Sequence, residues 1–126
     1  MAYKIAIVLL SLLVGSWSAN VGPRISDTHN IDQCDNFDNK KSESVLLSNV
    51  YEDAAILPIE KTINVPETGE LSTAINCIKV LNQDSSSHGG YPRILNGGIG
   101  SKNVQIELKS QLLQPLNFRI EVYREK

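Results

Sequence analysis

Histidine is scarce in this chain: His29 and His88 are the only two among 126 residues. A zinc site draws three or four Cys, His or carboxylate ligands at short spacings. No His-x-x-x-His or Cys-x-x-Cys pair occurs, so neither a bound metal nor metal catalysis is expected. No Gly-x-Ser-x-Gly elbow accompanies Ser85, Ser86 and Ser87. Those serines and His88 therefore read as loop material rather than as a nucleophile and its base. Clustered basic residues are missing as well. Twelve Lys and Arg face 14 Asp and Glu, and the one adjacent basic pair is Lys40-Lys41. A nucleic-acid footprint needs more positive charge than that. No Asn-x-Ser/Thr sequon is present, so N-glycosylation is not expected. No apolar run reaches the roughly 20 residues that span a bilayer.

What is there begins with the first segment. Lys4 supplies a positive charge, Ile5 to Val14 is apolar apart from Ser11, and Ser16 and Ser18 are small. That three-part pattern predicts a secretory signal peptide over residues 1–18. A cut after Ala19 would leave the bulky Trp17 three residues before it, so the cut is expected after Ser18. Export removes Met1 and Trp17, the sole Met and Trp. The product is expected to be an extracellular protein with room for one hydrophobic core.

Cys34 and Cys77 are the two cysteines. In an oxidising compartment an even count predicts pairing. The bridge would close a loop of about 44 residues, worth roughly 4 kcal/mol in the chain-entropy model. The alternative is a buried free Cys77 in a strand, with Cys34 unpaired in the N-terminal part.

Residues 19–44 are polar and acidic, with Asp27, Asp32, Asp35 and Asp38. They are expected to form a loosely ordered arm, tied down by Cys34. Residues 45–126 are expected to form a β-rich domain, because from Val45 onward the hydrophobic period is two. Val104, Ile106 and Leu108 alternate with Gln105, Glu107 and Lys109. Phe118, Ile120 and Val122 alternate with Arg119, Glu121 and Tyr123. Such patterns mark strands with one face on a core and one in water. Ile63 and Val65 form a shorter piece, Leu71 to Leu81 reads as a central strand, and Val45–Tyr51 and Ile94–Leu95 are weaker candidates. Turn signals lie at Pro66–Gly69, Asp84–Gly90 and Asn96–Gly98. The fold class is therefore all-β, an antiparallel sandwich or barrel. The last two strands are expected to pair as a hairpin around Ser110–Leu116.

Other motifs have plain readings. Glu52-Asp53 and Glu67…Glu70 lie in polar, turn-like sequence, where carboxylates stay solvated and lack the raised pKa that acid–base work needs. Gly97-Gly98-Ile99-Gly100-Ser101-Lys102 resembles a phosphate loop, but a strand rather than a helix follows it, so it reads as a hairpin turn and implies no cofactor. Leu112, Leu113 and Leu116 are unusual, since polar residues are expected between strands. Either they fold back over an open end of the core, or they present an apolar contact loop to a partner.

One further pattern spans the second half. Ala74-Ile75-Asn76-Cys77-Ile78-Lys79-Val80-Leu81-Asn82-Gln83, Gly89-Gly90-Tyr91 and Gly97-Gly98-Ile99-Gly100 come in that order. Asn103-Val104-Gln105-Ile106, Lys109-Ser110-Gln111, Asn117-Phe118 and Glu121-Val122-Tyr123 follow, and Gly22-Pro23-Arg24 stands near the expected mature start. The stretch from Ala74 to Tyr123 resembles the insect multiprotein bridging factor 2 family, labelled a transcription activator. It departs from the family pattern at Leu112–Leu116. The resemblance implies one of two function classes. The first is a secreted, non-enzymatic protein of saliva, venom or haemolymph that binds an extracellular protein or surface. The second is an intracellular coactivator bridging a DNA-bound receptor and the basal transcription machinery. The signal peptide and the cysteine pair favour the first.

Overall fold

The alternation of Val104, Ile106 and Leu108 places one side of a strand in a core, and the computed structural model builds that strand over Val104–Lys109. Residues 28–34 and 37–126 are described; the signal peptide expected over residues 1–18 lies outside them. In chain order the strands are β1 (Ile31–Gln33), β2 (Ser42–Glu52), β3 (Glu60–Val65), β4 (Ile75–Asn82), β5 (Tyr91–Gly97), β6 (Val104–Lys109) and β7 (Leu116–Glu125), with one 3-10 turn at Asn39–Lys41.

The strands form two antiparallel sheets, ordered β1-β4-β7-β2 and β3-β6-β5. Their inner faces share one core. Ile78, Val80, Phe118, Ile120 and Val122 come from the four-stranded sheet, and Val104, Ile106 and Leu108 from the three-stranded one. This is the sandwich solution to the strand pattern, in which each sheet hides its apolar face against the other.

Two expectations need correction. The last two strands are not a hairpin: β6 pairs with β3 and β5, whereas β7 pairs with β4 and β2. After β6 the backbone N–H of Ser110 donates to Ile59 O at 2.8 Å, and the chain then crosses to the other sheet. Alternation reports which face of a strand is buried, not which strand lies beside it. The hairpin that does form joins β5 to β6 through the glycine turn. There Gly97 (φ 68°) and Gly98 (φ 120°) take left-handed backbone that suits glycine.

Residues 19–44 are the second case. In their described part Ile31–Gln33 pairs with Ile78–Val80 at the edge of β4. Asp38 caps the 3-10 turn by accepting from Lys40 N at 2.9 Å. Strand β2 begins at Ser42 rather than Val45. A polar segment can join a sheet edge through backbone hydrogen bonds alone, so composition does not reveal it. Cys34 is joined to Cys77 in a disulfide, with the Cα atoms 4.4 Å apart. Phe37 then packs on Tyr123, ring centroids 4.7 Å apart.

Candidate functional site

Three connectors meet at one end of the sandwich: residues 53–59 between β2 and β3, 83–90 between β4 and β5, and 110–115 between β6 and β7. The sheet register brings them there, because Glu52 lies opposite Leu116 and Tyr91 opposite Lys109. Hydrogen bonds then stitch them together. Ile59 N donates to Ser110 Oγ at 2.7 Å, Gln111 Nε2 donates to Gly89 O at 2.8 Å, and Gln83 N donates to Asn117 O at 2.9 Å. His29 Nδ1 lies 2.8 Å from Gly90 O, and its ring rests on Tyr91. Gly90 is pressed so close to Lys109 O and Phe118 that a Cβ there would clash.

The predicted contact loop divides. Leu116 is fully buried and belongs to the core, so that part of the expectation is corrected. It is the first residue of β7, where the inward alternation of Phe118 and Ile120 already operates. Leu112 and Leu113 are each 60% exposed. They ride on a turn closed by Gln114 N to Gln111 O at 3.1 Å, and Leu113 sits at φ 62°. A leucine in left-handed backbone is uncommon and costs free energy.

The structure adds two residues that the sequence reading missed. Ile56 and Leu57 are 81% and 74% exposed on the neighbouring connector. The signal was present as Ala54-Ala55-Ile56-Leu57-Pro58, an apolar run between strands. Ile56, Leu57, Leu112 and Leu113 thus project from one end of the molecule. Ion pairs lie on the adjoining strand ends. Lys61 Nζ pairs with Glu52 at 2.7 Å, and Lys109 Nζ with Glu60 at 3.3 Å. The Asp53 carboxylate, as hydrogen-bond acceptor and as charge, pushes the phenol of Tyr51 above its ordinary pKa.

The serine-histidine pair at this end belongs to one local turn. Ser85 Oγ lies 2.9 Å from His88 Nδ1, but His88 N also donates to Ser85 O at 3.0 Å. The pair is one exposed turn, and among the described residues no carboxylate forms an ion pair with His88. Asp84 is directed to Asn117, whose Nδ2 reaches its Oδ1 at 3.5 Å. Glu67, Glu70 and Asp53 are exposed. Among the described residues no group of three or more His, Cys, Asp or Glu side chains gathers as a metal site would require.

On the outer face of the four-stranded sheet, Tyr123 Oη donates to Glu121 at 2.8 Å, and Arg119 Nε reaches the same carboxylate at 3.3 Å. The Tyr123 hydrogen bond chiefly, with Arg119 behind it, holds the Glu121 carboxyl below the ordinary range, against an opposing effect of burial. The same bond raises Tyr123.

The model of the family described as "Transcription activator MBF2" matches residues 37–123. That span runs from Phe37 through both sheets and all three connectors. The chain is also similar to a probable salivary secreted peptide of Bombus ignitus, with 42% identity over 64 residues. The matched part is 51% of this chain and 45% of that relative, so the chain spans less than half of the relative's length. No solved structure matches.

Proposed function

The chain belongs to the family described as transcription activator MBF2, and from that premise we propose that it is an exported, non-enzymatic protein of an insect secretion that acts by binding another protein. The observation that carries this reading is the set of four exposed aliphatic side chains, Ile56, Leu57, Leu112 and Leu113, on connectors stitched to one another at one end of the sandwich. Exposed apolar groups concentrated in one place, with a charged rim, are what a partner interface uses. Leu113 supports the reading further, since a non-glycine residue held at positive φ in a loop is the kind of local cost kept for function. The salivary secreted relative, the Cys34–Cys77 bridge and the signal-like first segment support export to saliva, venom or haemolymph.

The family description favours a second reading, an intracellular coactivator. The two separate in one experiment. The full chain is expressed in insect cells, with a photo-reactive residue at Leu112 and, as control, at Asn49 on β2. Export predicts an oxidised product in the medium that begins at Ala19 and forms cross-links at position 112 rather than 49. A reduced product retained in nuclei would replace this reading with the coactivator. Equal cross-linking at both positions would remove the loop end as the contact surface.

A further inference from the structure

Four strands end the two sheets: β1 and β2 in the larger, β3 and β5 in the smaller. A sheet edge carries a row of unpaired backbone N–H and C=O groups, and folded proteins guard it with shortness, charge, proline or a bulge. Three of these edges are guarded in that way. Strand β1 has three residues, one of them Asp32. Strand β3 opens with Glu60 and Lys61. Strand β5 contains Pro92 and Arg93 and is broken by a register shift between Ile94 and Asn96.

Strand β2 lacks such a guard over most of its length. It has 11 residues, and among the described residues β7 is its one strand partner. Its register shift lies between Ser44 and Leu46, at the start of the strand. From Leu46 to Tyr51 there is no charge, proline or glycine. Leu47 is 55% and Tyr51 58% exposed, and Asn49 between them is exposed. The three share the outer face. They stand opposite Glu121, Arg119 and Asn117 of β7, whereas Val122, Ile120 and Phe118 of β7 are buried in the core.

We propose that β2 pairs with β2 of a second copy of this chain, antiparallel and about a two-fold axis at Asn49, so that two four-stranded sheets join into one. The strand is complementary to itself in this register, as a two-fold contact requires. Residues 46–52 then face residues 52–46 of the second copy. Leu47 meets Tyr51 of the second copy on the outer face, twice over, as an aliphatic–aromatic cross-strand pair. An axis at Leu47 or Ser48 would run the pairing into the irregularity at Val45, and one at Val50 would run it off the strand into Asp53. Glu52 is the charge within the paired stretch. It lies opposite Leu46 of the second copy, and the two Glu52 residues stand about 20 Å apart along the strands, at about 3.4 Å per residue. Like charges therefore do not meet.

A contact limited to two edge strands is smaller than the roughly 1,200–2,000 Å² of stable complexes, so the dimer forms at high protein concentration. At the low concentration of a product in culture medium the chain is single, and Asn49 stays open there as a reference position. The contact is separate from the connector end and does not depend on its role.

Sedimentation equilibrium of the mature, oxidised protein from about 10 µM to about 1 mM tests this, with backbone amides followed by NMR. The expected result is a monomer–dimer equilibrium with concentration-dependent shifts at Leu46–Glu52. Leu47→Lys and Tyr51→Lys should each weaken it about tenfold by placing charge on the edge. Both sites are exposed, so the variants should retain cooperative melting. Copper-phenanthroline oxidation of single-cysteine variants reads the register. Asn49→Cys, on the axis, should form a covalent dimer about fivefold faster or more than Leu47→Cys, whose two copies stand about 14 Å apart, too far for a disulfide. Leu112→Ser/Leu113→Ser should leave the equilibrium unchanged. A monomer at every concentration overturns the proposal, as does a dimer that survives both lysine variants or is lost with Leu112 and Leu113. Equal rates for the two cysteine variants would overturn the two-fold pairing at Asn49.

Discussion

Ser110 and Ile59 hold each other by two reciprocal hydrogen bonds: Ile59 N donates to Ser110 Oγ at 2.7 Å, and Ser110 N donates to Ile59 O at 2.8 Å. This couples the β2–β3 connector to the β6–β7 connector and so places Ile56 and Leu57 beside the same end as Leu112 and Leu113. Ser110 is nearly fully buried. Ser110→Ala keeps one of the two bonds and strands the Ile59 N–H. A loss of about 1–3 kcal/mol is expected for a stranded buried donor, read as a lower urea midpoint at constant m-value. An unchanged midpoint would show that the second bond holds the connectors without the hydroxyl.

The Cys34–Cys77 bridge fastens the short edge strand β1 and its following segment to β4. Its sequence separation is 43, and the chain-entropy model values such a loop at about 4 kcal/mol. Cys34→Ala is the cleaner variant, because Cys77 is fully buried. Thermal melting of that variant should drop by well over 10 °C, at about 4–8 °C per kcal/mol for a domain of this size. A variant that melts with the parent would mean that β1 contributes nothing to global stability.

Gly90 does not need positive φ, yet it has no space for a side chain. A Cβ there would meet Lys109 O and Phe118 Cε2, each at 2.9 Å. Gly90→Ala is therefore expected to cost about 1–3 kcal/mol by overpacking. The readout is the denaturation midpoint together with NMR shifts of Phe118 and Lys109. Gly69→Ala is a contrasting control, with open space around its Cβ but a φ of 72°.

Leu112, Leu113 and Leu116 should behave as two classes despite their proximity in sequence. Leu116→Ala opens a cavity in the core and should cost about 2–5 kcal/mol. Leu112→Ser is a surface change and should stay within about 0.5 kcal/mol of the parent. Leu113→Gly removes the left-handed cost and should raise the melting temperature slightly, while weakening photo-cross-linking from position 112. A stabilising change that also lowers binding would separate the contact role from a core-lid role, because a lid would lose both.

The Glu121–Tyr123 pair sets a pH dependence with two sides. Glu121 is held below its ordinary value, first by the Tyr123 hydroxyl. Its contribution is thus complete above the unfolded value of about 4.3 and is lost as pH falls through the folded value. Tyr123 is raised by the same bond. Its contribution is complete below about 10 and lost as pH rises through the folded value. Arg119 is 43% exposed and adds little through solvent. Tyr123→Phe keeps the ring on Phe37 and should flatten both shoulders of the stability–pH curve; Glu121→Gln should remove the acid one. Curves superimposable on the parent would show the bond to be energetically neutral.

Much of this fold was legible because strand alternation is local. Val104, Ile106 and Leu108, and Phe118, Ile120 and Val122, are inward in the structure as their spacing required. The glycine turn before β6 was legible for the same reason, since positive φ is a property of the residue. The pairing of β6 with β3 and β5 rather than β7 was not, because each strand meets partners far away in sequence and several registers bury the same face. For the site, Leu112 and Leu113 were visible as misplaced apolar residues, but Leu116 looked identical to them.

The sequence by itself determined the strand class, the inward faces, the turn glycines and the family pattern, all of which depend on neighbours a few residues apart. Tertiary structure alone decided that Ile31–Gln33 joins β4, that Leu116 is core while Leu112 and Leu113 are surface, and that Ile56 and Leu57 share their end. The physical reason is common to these outcomes. Burial and proximity are set by which backbone edges hydrogen-bond across long loops, and that choice is made by the whole core at once rather than by any segment of it.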